Sequence, residues 1–138
     1  MNTLEFKDLR RESLHFSGIN SVQQRFPNGS MWSGYINTPR PSHGLVYVCS
    51  DTTLIYEIPG RPTLHLGKGS VLFAPKGSFY KVTAQSNTPH TGIDSYTVNF
   101  CICDHCGEEL SISTPLSIIT QDHFSNFPTL LTELTRAC

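Results

Sequence analysis

The chain has 138 residues, 38% of them hydrophobic and 15% charged, with ten glycines, nine prolines and a formal net charge of -1. That length builds one ordinary core, and so much glycine and proline with so few charges fits a turn-rich β protein, not a disordered chain or a helical bundle. Near-neutrality without a Lys/Arg run excludes the electrostatic footprint of a nucleic-acid-binding domain, and no apolar stretch is long enough to span a bilayer.

The five cysteines are an odd number. With no charged-then-apolar signal segment in Met1 to Asn20, they argue against a secreted disulfide scaffold and predict a reducing, cytoplasmic setting. Asn28-Gly29-Ser30 matches a glycosylation acceptor but reads better as a turn.

In chain order, the apolar residues of Met1 to Asn20 (Leu4, Phe6, Leu9, Leu14, Phe16 and Ile19) follow neither the helical nor the strand period, and no element is assigned there. Phe26 to Pro41 holds three prolines, two glycines and Trp32, and reads as a loop with at most one short strand around Trp32 to Ile36, able to lie over a barrel mouth. From Gly44 the strand signals come at short intervals: Leu45 to Cys49, Thr53 to Ile58, Thr63 to Leu66, Val71 to Ala74, Phe79 to Ala84 and Ser95 to Cys103, separated by Gly, Pro, Asp and Ser turns. Strands at this spacing with no helix between them indicate a sandwich or barrel. Val71 to Ala74 is apolar throughout and too short for a helix before Pro75, so it is expected to be buried on both faces. Pro75 and Gly77 then reverse the chain. After Leu116 the period changes. Phe124, Phe127, Leu130, Leu131 and Leu134 recur at three and four, which predicts an amphipathic helix capped by Ser125 or Asn126 with Pro128 in its first turn.

Gly69, Pro75 and Gly77 stand at the spacing of the second cupin motif, with Tyr80 in the place of its histidine. In the stretch corresponding to the first motif, Gly44 to Glu57, Ser50 and Thr52 stand where histidines would be, and only Glu57 supplies a carboxylate. Three of four ligands are absent, so the resemblance implies a metal-free barrel without a cofactor. More specifically, Arg40-Pro41-Ser42-His43-Gly44-Leu45-Val46-Tyr47-Val48, then Gly67 to Tyr80, then Tyr96-Thr97-Val98-Asn99-Phe100 resemble the N-terminal sensor half of AraC-family transcription regulators. The likeness covers Arg40 to Phe100 and, loosely, the helix at Phe124 to Leu134. It implies a mainly β, cupin-like double-stranded β-helix (jelly-roll) barrel followed by a C-terminal α-helix. The arm and loop would be residues 1–39, the barrel core 40–104, and the connection and helix 105–138. In that family an arginine at the position of Arg40 can contact the effector.

Each candidate also has a plainer reading. Tyr80 is either a core aromatic with its hydroxyl at the rim or a pocket-wall hydrogen-bonder. Trp32, Tyr47 and Tyr56 either fill the barrel or stack on a sugar ring. Ser95, Thr97 and Asn99 form a polar row that is either an exposed face or a pocket floor. His43 reads as a loop histidine, since no nucleophile is placed to use it. Cys103, His105 and Cys106 look like part of a zinc site, but the plainer reading is a strand end.

The expected function is therefore a small-molecule-sensing and dimerisation domain of a bacterial AraC-type regulator. It would bind a small polar effector, with a sugar among the candidates, through Arg40, Trp32, Tyr47, Tyr56, Tyr80 and Asn99. It would self-associate through Phe124, Phe127, Leu131 and Leu134. DNA would be reached only through a C-terminal domain that this chain does not contain. The alternatives are a small metal-dependent cupin isomerase or lyase, and a stand-alone cupin interaction module.

Overall fold

The structure, a computed structural model, describes residues 3–4, 15–25, 30–86 and 93–119. Eleven strands are present among them and no helix. The predicted C-terminal helix, with Phe124, Phe127, Leu131 and Leu134, lies outside the described residues. Among the described residues no helix is long and apolar enough to cross a membrane.

The long middle of the chain supplies most of two antiparallel sheets. His43–Val48 (β4), Val71–Ala74 (β7) and Ser95–Cys103 (β9) join His15–Gln24 (β2) and Ser117–Ile119 (β11) in a five-stranded sheet of order β11-β7-β4-β9-β2. Ser30–Tyr35 (β3), Thr52–Glu57 (β5), Leu64–Leu66 (β6) and Tyr80–Ser86 (β8) form a four-stranded sheet of order β3-β8-β5-β6. Thr3–Leu4 (β1) and Ser111–Ile112 (β10) make a separate parallel pair.

Strand alternation distributes the apolar residues into two cores. Val46 and Val48 of β4 and Leu72 and Ala74 of β7 meet Leu54 and Tyr56 of β5, Leu66 of β6, and Tyr80 and Ala84 of β8, so one core lies between the two sheets. The alternate residues, Leu45, Val71, Phe73, Val98, Phe100 and Ile102, point to the other face of the five-stranded sheet together with Ile119 of β11, and Leu110 and Ile112 cover them. This explains the uniform apolar run of β7, whose four residues are all buried.

Two segments differ from the sequence expectation. β2 is a ten-residue strand where no element is assigned from sequence. It is an edge strand, mostly exposed, so no clean apolar alternation marks it, and its pairing with β9 is interrupted by an irregularity between Ser17 and Asn20, where Gly18 takes φ 58°. The short strand expected around Trp32 to Ile36 is present as Ser30–Tyr35, but it stands in the wall, paired residue for residue with β8, instead of lying over a barrel mouth.

His43 begins β4 and is 1% exposed, sandwiched near the rings of Phe73 and Phe100. Its Nδ1 accepts from Lys76 N at 2.9 Å, so the neutral ring carries its proton on Nε2, which is buried without a hydrogen-bond partner. Desolvation lowers its pKa below 6.5, with Lys76 and Arg40 adding to the effect and the Leu110 carbonyl and Glu109 opposing it. Between that lowered value and 6.5 the unfolded chain binds a proton that the folded chain excludes, so stability is full above this window and falls as pH drops through it. We expect Tm measured from pH 8 to pH 5 to fall in that window, and His43→Asn, which keeps an acceptor but does not titrate, to flatten the slope. An unchanged slope in His43→Asn would assign the loss to other groups.

Candidate functional site

The Pro75–Ser78 turn is the local device that builds the site. Ser78 N and Oγ both bond to Pro75 O, at 3.2 and 2.6 Å, and Gly77 takes φ 91°, which a residue with a Cβ adopts only under strain. The turn then grips Arg40 by its backbone: Arg40 N donates to Ser78 O at 2.9 Å, and Gly77 N donates to Arg40 O at 2.8 Å. Two residues beyond the turn, β8 begins with Tyr80, and Arg40 Nε donates to its hydroxyl at 3.2 Å.

The guanidinium is held on its other sides as well. Arg40 Nη1 donates to Ser42 O at 2.9 Å and reaches Ser42 Oγ at 3.4 Å, while Nη2 donates to Asn99 Oδ1 at 2.6 Å. Asn99 is oriented in turn by Nδ2 donating to Asn20 Oδ1 across the β2–β9 pairing, at 2.9 Å. The Tyr35 ring lies 5.7 Å from the guanidinium carbon, within cation–π reach. Gly44 leaves the space in which the guanidinium sits: a Cβ there would fall inside van der Waals contact with Arg40 Cζ, Nη1 and Nη2.

Arg40, Tyr35, Tyr56, Tyr80, Thr97 and Asn99 line one cavity of about 320 Å³ between the two sheets. Its remaining wall is largely aliphatic, from Val22, Val46, Leu54, Val82 and Ala84. The Tyr56 and Tyr80 rings pack against each other with centroids 5.2 Å apart. Burial pushes both phenols up, strongly for Tyr56; for Tyr80 the nearby Arg40 charge partly offsets it. Both are therefore neutral hydrogen-bond donors at physiological pH.

Of the residues singled out from sequence, Arg40, Tyr56, Tyr80 and Asn99 come together here. Tyr47 does not: it packs against the second core, on the opposite face of β4 from Val46. Trp32 pairs with Thr83 on β3, and its side chain lies outside the described atoms. Ser95 and Thr97 are buried, so the polar row of β9 is not an exposed face. Sequence reasoning missed Tyr35, Gln24 and Val22, which enter the site on edge strands β3 and β2. The Gly34-Tyr35 step inside a Pro-rich stretch carries no signal that separates strand from loop.

The positions aligned with metal ligands do not converge. Thr52 pairs with Ser86 and Glu57 with Lys81, so Tyr80 sits about six residues along β8 from Thr52, roughly 20 Å at the rise of a strand. Ser50 and Thr52 instead donate to the buried Asp94 carboxylate at the far end of β5, Thr52 at 2.8 Å. Glu57 is exposed. At the end of β9, Asp104 Oδ1 accepts from Cys106 N and Glu108 N, at 2.9 and 3.0 Å, and organises a tight turn. Among the described residues, no three His, Cys, Asp or Glu form a group that could hold a metal ion, and Cys49, Cys101, Cys103 and Cys106 are free thiols.

Comparison with protein-family models, with curated proteins and with solved structures finds no match.

Proposed function

We propose that this chain is a small-molecule-sensing domain of the kind found in AraC-type transcription regulators, with its ligand bound in the cavity between the sheets. In this reading the two sheets are the walls of a cupin-like double-stranded β-helix, the 105–138 segment supplies the connection, the following helix and the self-association stripe, and DNA is contacted by a separate domain. The observation that carries the proposal is the Arg40 guanidinium, buried in the lining of an inter-sheet cavity and held by Tyr80, Ser42 and Asn99.

Two further features favour recognition over catalysis. The cavity has the size and mixed lining of a small-ligand pocket. Its lining among the described residues includes no His, Cys, Asp or Glu, so the side chains that usually carry general acid–base or nucleophilic work are absent from it.

A thermal-shift screen of the protein against sugars, amino acids and aromatic acids tests the reading. A ligand that binds only the folded state at a hundred times its Kd adds about 2.7 kcal/mol of stability. We expect at least one class to raise Tm, and Ala84→Leu, which fills the cavity, to abolish the shift. A ligand whose effect survives Ala84→Leu unchanged binds elsewhere and defeats the proposal.

A further inference from the structure

The cavity holds a cation that no carboxylate of the described chain neutralises. Arg40 is 4% exposed, yet the acceptors on its guanidinium (the Tyr80 hydroxyl, the Ser42 carbonyl and hydroxyl, and Asn99 Oδ1) are all uncharged. No Asp or Glu is found in the cavity lining among the described residues. A buried charge without a counter-charge is unfavourable, and the shortfall is made good when an anion arrives.

The hydrogen-bond inventory points the same way. A guanidinium has five N–H donors, and the contacts above leave at least one Nη2 hydrogen without an acceptor among the described residues. The Tyr80 oxygen accepts from Arg40, which leaves its own proton to be donated, and the Tyr56 hydroxyl makes no hydrogen bond among the described residues. The amide oxygens nearby are engaged: Asn99 Oδ1 with Arg40, and Gln24 Oε1 with Ser95 Oγ at 3.2 Å. What remains is mostly donors, with the hydroxyl oxygens of Tyr56 and Thr97 as neutral acceptors. An ionised carboxylate accepts only and also neutralises the Arg40 charge, which a sugar hydroxyl cannot do.

We propose that the ligand of this cavity is a small monocarboxylate with an apolar or aromatic body, its carboxylate held by Arg40 Nη2 and the hydroxyls of Tyr56 and Tyr80. The body lies against Val46, Leu54, Val82 and Ala84. A cavity of about 320 Å³ suits a ligand of on the order of ten to fifteen heavy atoms. This rests on the cavity being a ligand site and narrows what it takes.

The test is a titration of the full chain, at fixed pH 7.5 and ionic strength, with benzoate and hexanoate, with benzamide and hexanamide, and with two neutral sugars, glucose and ribose, followed by thermal shift and calorimetry. The expected result is binding of at least one acid, tenfold or more tighter than its amide, with no response to either sugar. Arg40→Gln is expected to bring acid and amide to equal affinity, a change that a loss of packing alone would not produce. If Arg40→Gln does not fold, the acid-to-amide ratio of the wild type still decides. Equal affinities for acid and amide, or binding of a sugar in preference to both acids, overturn the carboxylate inference and leave the cavity as a ligand site. No response to any compound overturns this inference, and the site itself falls if the broader screen is also silent.

Discussion

Gly44→Ala is expected to destabilise the protein by about 2 kcal/mol and to weaken ligand binding at least tenfold, although Gly44 itself offers the ligand no functional group. Its φ is not among the positive values, so the backbone imposes no penalty on alanine, and the effect comes from space. The added methyl would come too close to Arg40 Nη2, Cζ and Nη1 for the guanidinium to stay where it is. Arg40 is fixed at its backbone by Ser78 and Gly77, so its side chain has to swing away and lose its bonds to Tyr80, Ser42 and Asn99. Hydrogen bonds to a charged group contribute about 1.5–3 kcal/mol each, and partial resolvation of the displaced guanidinium keeps the total near the lower end. A double-mutant cycle gives the decisive measurement. On an Arg40→Met background the obstacle is gone, and Gly44→Ala should become neutral or stabilising by about 0.4–1 kcal/mol through the unfolded chain. Urea unfolding of the four proteins checks this, and additive effects would show that Gly44 does not act through Arg40.

Phe73→Ala is expected to have the largest effect on stability, about 3–5 kcal/mol, because it opens a cavity in a closely packed core. Phe73 is 0% exposed, packs in the second core and stacks on His43 with ring centroids 6.1 Å apart. A loss of that size is a large share of the roughly 5–15 kcal/mol that holds a domain of this size together. Phe79, six positions on, is 43% exposed, and Phe79→Ala should change stability by no more than about 0.5 kcal/mol. Similar losses in the two variants would mean that Phe73 is not in the core.

The contrast between these two phenylalanines shows where sequence reading stops. Val71–Ala74 is legible because four apolar residues between glycine turns leave few other solutions, and the structure buries all four. The Pro75–Ser78 turn is legible because Gly77 permits the positive φ found there. β2 was not legible, since an exposed edge strand needs no apolar alternation and its ten residues are recognised only once β9 pairs with them. In the sequence Arg40 is an arginine between two prolines, marked out only by the family resemblance. Its burial depends on Gly77 and Ser78, which lie nearly forty residues away and hold its backbone.

From the sequence alone come the β class, the main turns and the pairs of residues that share a strand face, because all three follow from local stereochemistry. Which face meets the cavity is decided only by the tertiary structure. Tyr47 and Tyr56 carry the same local signal, yet Tyr56 lines the cavity and Tyr47 packs behind the sheet. The physical reason is that the central strands β7 and β4 of the five-stranded sheet have apolar packing on both sides. A period of two sorts their residues into two apolar sets, and nothing within one strand says which set faces the second sheet and the Arg40 guanidinium.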